Sequence, residues 1–158
     1  MGTRLEFSQL TDKHDLTEFD CREQALNSWL RKRALKNSTR GFSKVYILSE
    51  QSKVLAYYSI SAGAIERKKA PSSLSRNAPN PIPVIILGRL AVDISQQSRG
   101  LGAAMLKDCA IRVTRLAQEV GIKAILVHAL NGQAVQFYEK YGFKTSRFDE
   151  NVLLLPVK

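Results

Sequence analysis

The stretch that constrains this chain most is VIILGRLAVDISQQSRGLG, from Val84 to Gly102. Val84 to Val92 is apolar apart from Gly88 and Arg89, the pattern of a strand covered on both faces, and Gly88 marks a bulge or a close backbone approach. Gln97, Arg99, Gly100 and Gly102 come next, and a helix opens on them. Two glycines remove side chains that would hold a phosphate away from the main chain, and the first amides of the helix have no intrahelical acceptor. Such a turn is a site for an anionic cofactor. The same glycine pair is also compatible with a turn that only caps a helix.

Two commoner phosphate loops are excluded by the residues after Gly102. A P-loop needs Lys and Ser/Thr after its last glycine, where Ala103 and Ala104 stand. A dinucleotide fingerprint needs a small residue in place of Met105 and an acid at the end of the next strand, which reads His128-Ala129.

Around this stretch the chain alternates strand and helix patterns. Arg4 to Gln9 reads as a short strand with Leu5 and Phe7 inward. A helix of about fourteen residues comes after Phe19-Asp20-Cys21, with Ala25, Leu26, Trp29, Leu30 and Ala34 on one face. Lys44 to Ser49 and Val54 to Ser61 form an antiparallel hairpin across Gln51-Ser52-Lys53, which sends Tyr57 and Tyr58 to opposite faces. Arg67 to Pro83 has no period and reads as a long surface loop. A helix from Leu101 to Gln118 buries Met105, Cys109, Val113 and Leu116, and Ile122 to Ala129 is the next buried strand. Asn131 then caps a short helix with Ala134, Phe137, Tyr138 and Tyr141 on its stripe, stopped by Gly142, and Asn151 to Val157 is a last strand.

A length of 158 residues suits a single domain over residues 1–158. No apolar run reaches membrane-spanning length, no signal peptide is seen, and Glu6 spoils a myristoylation site, so a cytoplasmic protein without membrane contact is expected. Cys21, Cys109, His14 and His128 show no paired spacing, so reduced thiols and no metal are expected. The net charge of +10 favours a polyanionic partner and disfavours cationic substrates such as polyamines. Arg22, Arg31, Lys32, Arg33, Lys36, Arg40 and Lys44 are opposed within their stretch by Glu23 alone, and Arg67, Lys68, Lys69 and Arg76 form a second cluster. Either cluster alone reads as a solvated face; two on one small domain point to nucleic acid.

Strand, Gln97-Ser98-Arg99-Gly100-Leu101-Gly102, helix, strand, Asn131, and a helix bearing Phe137-Tyr138 before Tyr141-Gly142-Phe143 resemble the GNAT superfamily of acetyl-coenzyme A-dependent N-acetyltransferases. The likeness extends to Phe19-Asp20-Cys21, Leu26-Asn27-Ser28-Trp29-Leu30, Tyr57-Tyr58, Pro83-Val84, Gly88-Arg89-Leu90-Ala91-Val92-Asp93 and Val127-His128-Ala129. That fuller pattern is similar to the acetyltransferase toxins of bacterial type II toxin-antitoxin pairs, which acetylate the amino acid carried by aminoacyl-tRNA. Arg22 departs from it, since glycine is more usual after the cysteine.

The resemblance implies an α/β (α+β) fold, a mixed twisted sheet with splayed central strands flanked by helices. It implies acetyl-coenzyme A as cosubstrate, held by Leu90, Ala91 and Val92 along the strand, by Gln97, Ser98, Arg99, Gly100, Leu101, Gly102 and Ala103 at the diphosphate, and by Asn131 and Phe137. Tyr138 matches the superfamily's proton donor; a phenol is still protonated at neutral pH, and although a tyrosine on the stripe of a short helix is more commonly a core residue, the motif context favours catalysis. Asn131 is a helix cap, a cofactor contact, or both. Arg22, Arg31, Arg33, Lys36 and Arg40 would meet tRNA phosphates. Arg89 would either face the acceptor end of the RNA or hold a buried carboxylate. His128, alone in a core strand, reads as structural. The implied partners are aminoacyl-tRNA, a ribbon-helix-helix antitoxin and a second copy of the chain. No carboxylate lies within Val84 to Val92 to act as a base, which suits an α-amine acceptor, since an α-amine is far less basic than lysine. Rival readings are acetylation of a protein N-terminus or a small amine, and a coenzyme A or RNA-binding module without turnover.

Overall fold

The computed structural model describes residues 4–157. Seven strands form one mixed sheet in the order β1-β2-β3-β4-β5-β7-β6. They are β1 Leu5–Gln9, β2 Lys44–Glu50, β3 Lys53–Ile65, β4 Ile82–Val92, β5 Ala124–His128, β6 Lys144–Thr145 and β7 Val152–Pro156. The helices are α1 Gln24–Trp29, α2 Leu35–Thr39, α3 Ser72–Ser75, α4 Leu101–Leu116 and α5 Gly132–Lys140. Backbone contacts divide the chain into two compact units, residues 1–61 with 89–109 and residues 62–88 with 110–158.

In the first unit β1, β2 and β3 pair antiparallel, with β2 and β3 joined through Gln51 and Ser52. Both turn residues take positive φ, 50° and 69°, the twist that suits a two-residue hairpin. Leu5 and Phe7 are 44% and 45% exposed, against the expectation that they point inward. β1 is an edge strand, and its buried anchor is Leu10, just past its end. The expected fourteen-residue helix spans Gln24 to Thr39, α1 and α2 being joined by a π turn, Leu30–Ala34. That turn puts Leu30 and Ala34 at full burial beside Trp29, while Ala25 is exposed. These side chains pack with Phe19, Val45, Ile47, Val54, Tyr57 and Ala91, and each large one contributes about 1.5–3 kcal/mol by leaving water.

In the second unit β4 and β5 run parallel, with Val84 to Leu87 paired to Ala124 to Val127, and β7 lies antiparallel to both β5 and β6. Ile65, Ala70, Leu74, Ile82, Val84, Leu126 and Leu154 make its core. The expected loop from Arg67 to Pro83 is partly ordered: α3 buries Leu74, and β4 starts at Ile82. The short strand β6 is not anticipated by the residue pattern. α4 buries Met105, Cys109 and Val113 as expected, and Leu106 besides, whereas Leu116, its last residue, is 37% exposed. Both cysteines are buried free thiols.

Candidate active site

β4 ends at Val92, and the buried carboxylate of the next residue, Asp93, organises the turn beyond it. Its Oδ1 accepts the Asp20 amide at 2.8 Å, and its Oδ2 accepts the amide and hydroxyl of Ser95 at 3.0 and 2.6 Å. Burial raises the Asp93 pKa, but Ser95, the Asp20 amide and Lys53 together outweigh it and hold the group below the ordinary aspartate value. Asp20 in turn accepts the amide of Arg22 and the side-chain amide of Asn27, and Asn27 accepts the Cys21 amide. The Phe19-Asp20-Cys21 stretch is thereby tied to the end of the central strand. The sequence did not single out Asn27 or Asp93 for this work; a polar residue directly ending an apolar strand is the signal that marks Asp93.

The Gln97 side chain donates to the Val92 carbonyl at 3.0 Å, closing the loop back on β4. Ser98 and Gly100 take positive φ, 71° and 77°, and Ser98, Arg99 and Gly100 are exposed. Gly100 needs its missing side chain for backbone conformation alone, since a Cβ there would meet nothing. The first hydrogen bond into α4 is from Ala104 to the Gly100 carbonyl, so among the described residues the amides of Leu101, Gly102 and Ala103 have no acceptor. An exposed turn with three unanswered amides at the positive end of a sixteen-residue helix fits a diphosphate. Arg99 bonds Gln96 at 2.8 Å, which leaves its charge at the rim of this turn. Leu90 and Val92 are half-buried and Ala91 is buried.

Arg89 has no carboxylate partner among the described residues, which removes that alternative. Its guanidinium lies over the Trp29 ring, 3.9 Å from the centroid. Burial lowers its pKa from the ordinary arginine value, and the Tyr57 phenol acts the other way. Tyr57 is a core residue, stacked on Trp29 and donating to the Leu26 carbonyl, and burial pushes its pKa up. Tyr58, on the opposite face, donates to Asp108 at 2.6 Å. Arg22, Arg31, Arg33, Lys36 and Arg40 are all exposed and, among the described residues, none is in an ion pair. Arg31 alone is partly committed, donating to the Phe19 carbonyl at 2.7 Å. Arg22 has φ +73°, the conformation that glycine adopts freely, which explains the residue expected there.

Asn131, Phe137 and Tyr138 belong to the second unit. Asn131 caps α5 by accepting the Ala134 amide at 2.9 Å. The helix ends on Tyr141, and Gly142 at φ +96° lets the Phe143 amide reach the Tyr138 carbonyl. Tyr138 is buried, edge-on to Phe137 and to Phe143, while Tyr141 is 39% exposed. The β4–β5 register ends at Leu87↔Val127, directly before Gly88, where the family resemblance implies parted strands. His128 is exposed rather than in the core. With Ile86, Leu126, Val152 and Phe148 it lines a groove of about 450 Å³ that no pattern of residue types had marked.

No helix among the described residues is long and apolar enough to cross a membrane, and none of their His, Cys, Asp and Glu side chains cluster to hold a metal. The model of the acetyltransferase (GNAT) domain matches residues 19–152. The chain is 39% identical over 150 residues to a tRNA-acetylating toxin of Mycobacterium tuberculosis, covering 95% of this chain and 90% of that protein. It is similar to AtaT complexed with acetyl-methionyl-tRNAfMet, with TM-score 0.91, 34% identity, and 97% and 95% of the two chains covered. It is likewise similar to a mutant AtaT toxin bound to the C-terminus of the antitoxin AtaR and acetyl-CoA, with TM-score 0.84, 32% identity, and 98% and 94% covered. A glycine turn with open amides, a tyrosine helix and these matches together make the chain a member of the GNAT acetyltransferase family, an acetyl-CoA-dependent N-acetyltransferase.

Proposed function

We propose that this chain acetylates the α-amine of aminoacyl-tRNA and so blocks translation. The observation that carries the reading is the exposed run of Arg31, Lys32, Arg33, Lys36 and Arg40, none of them in a salt bridge among the described residues, on a member of an acetyltransferase family. Such a run suits a polyanionic acceptor better than a peptide terminus or a small amine. The relative named a tRNA-acetylating toxin and the similar structure of AtaT complexed with acetyl-methionyl-tRNAfMet support the same acceptor.

When bound, acetyl-CoA supplies an activated thioester. Gly100, Leu101, Gly102 and Ala103, with Gln97, Ser98 and Arg99, would hold its diphosphate, and Leu90, Ala91 and Val92 would offer main-chain groups to its arm; Asn131 and Phe137 are assigned as further contacts. Main-chain N–H groups of β4 meet the negative charge that develops on the carbonyl oxygen. Tyr138 gives its phenolic proton to the leaving sulfur. Arg22, Arg31, Arg33, Lys36, Arg40 and Arg89 seat the RNA through phosphates, without reading its bases. The chain works as one catalytic domain and as a homodimer in the cytoplasm, and a ribbon-helix-helix antitoxin with an acidic tail silences it by covering the basic run.

The test is incubation of the protein with acetyl-CoA and mixed charged tRNA, then digestion and mass analysis of the released amino acids. Acetylated α-amines are expected from the wild type. Tyr138→Phe is expected to bind acetyl-CoA with unchanged affinity and to transfer roughly 100-fold or more slowly. Charged tRNA left unmodified by the wild type sinks the proposal.

A further inference from the structure

Acetyl transfer requires the amine to lose a proton, and β4 offers nothing to take it: IPVIILGRLAV carries no carboxylate and no imidazole. β5 carries one such group, His128, at its last residue. His128 stands one position past the last rung between the two strands, and its own main chain is fixed by pairing with Val152. By the two-residue period of a strand its side chain shares a face with Leu126, and both line the groove of about 450 Å³ with Ile86, Val152 and Phe148.

The other ionisable groups on that groove are Glu66, Lys69 and Asp149. Glu66 is engaged by Lys68 and Lys69, each at 3.6 Å, and Asp149 accepts the Asn151 amide at 2.9 Å. The His128 ring has no hydrogen-bond or ionic partner among the described residues. An exposed imidazole with open nitrogens, beside the place where the ladder stops, is a group that can accept the proton of an attacking amine.

We infer that His128 takes the proton that the acceptor amine gives up. The amine nitrogen bonds the acetyl carbon as the carbon–sulfur bond breaks; its proton goes to the imidazole, and the sulfur receives the proton of Tyr138. Water then restores both side chains. This role rests on the proposed transfer to an α-amine and adds a residue to it.

The experiment is single-turnover acetylation of charged tRNA by the wild type, His128→Gln and His128→Ala across about pH 6 to 8.5, with unfolding midpoints and acetyl-CoA affinity measured alongside. Both variants are expected to keep midpoint and affinity, and to react roughly 100-fold more slowly at the alkaline end, with the deficit shrinking toward acid, where a protonated base can accept nothing. Free imidazole is expected to restore His128→Ala, because the open groove admits it. A deficit under about twofold, or one equal at every pH and not relieved by imidazole, overturns the role of His128 alone. A wild type that acetylates no charged tRNA overturns the transfer itself and this inference with it.

Discussion

The guanidinium of Arg89 sits 3.9 Å from the centroid of the Trp29 ring, and no carboxylate among the described residues shares it. An arginine keeps its charge even when burial weakens it, so β4 carries a positive charge braced by an aromatic face rather than neutralised by an acid. A phosphate can still be drawn to such a charge. Arg89→Met retains the aliphatic contact with Trp29 and is expected to change stability by no more than about 1 kcal/mol. Its tRNA affinity is expected to lose about one unit of salt slope. An unchanged slope in a fully folded variant would mean that Arg89 serves the core alone.

Arg22 occupies a backbone conformation of φ +73°. A non-glycine residue there costs about 1–2 kcal/mol, of which glycine returns part through its greater freedom in the unfolded chain. Arg22→Gly is therefore expected to raise stability by about 0.5–1 kcal/mol while weakening tRNA binding slightly, and Arg22→Ala to gain little. Urea midpoints for the three proteins decide it; a lower midpoint for the glycine variant contradicts the strain.

These two residues also show how far the sequence could be read. The glycine turn, the Asn131 cap and the stripe of α5 announce themselves within a few residues of chain, because capping and left-handed turns are local chemistry. What Arg89 does is not local: Trp29 lies sixty positions away, and only the packing of the helix against β4 brings the ring beneath the charge. The π turn at Leu30–Ala34 leaves the same apolar spacing as an unbroken helix, so periodicity could not reveal it. His128 reads as a core residue because its strand is apolar, and its exposure comes from where the β4–β5 pairing stops, which no pattern of residue types records.

The Asp93 carboxylate holds the Asp20 amide and Ser95 in place. Its pKa lies below the ordinary aspartate value, burial being outweighed by those hydrogen bonds and by Lys53. A depressed carboxyl contributes stability that is whole above about pH 4 and is lost as pH falls through its folded value. Asp93→Asn is expected to be less stable by about 1–3 kcal/mol at neutral pH, with the gap to wild type closing on acidification below about pH 4. Denaturant titrations at both pH values test this; a gap that holds or widens in acid shows that the charge on Asp93 is not what stabilises the turn.

The helix that carries Arg31, Arg33 and Lys36 presents them to solvent, but not equally. Arg31 spends one guanidinium nitrogen on the Phe19 carbonyl, 2.7 Å away, whereas Arg33 and Lys36 have no such commitment among the described residues. Each phosphate contact releases counterions and steepens the salt dependence of binding by about 0.9 on a logarithmic scale. Replacing Arg33 and Lys36 with Gln is therefore expected to flatten the slope for uncharged tRNA by about two, measured between about 50 and 200 mM salt, and Arg31→Gln to remove less than one. Arg31→Gln is also expected to loosen the Phe19-Asp20-Cys21 turn and lower the unfolding midpoint, which the other two substitutions leave alone. If all three flatten the slope equally, or none does, the RNA does not lie along this face of the helix.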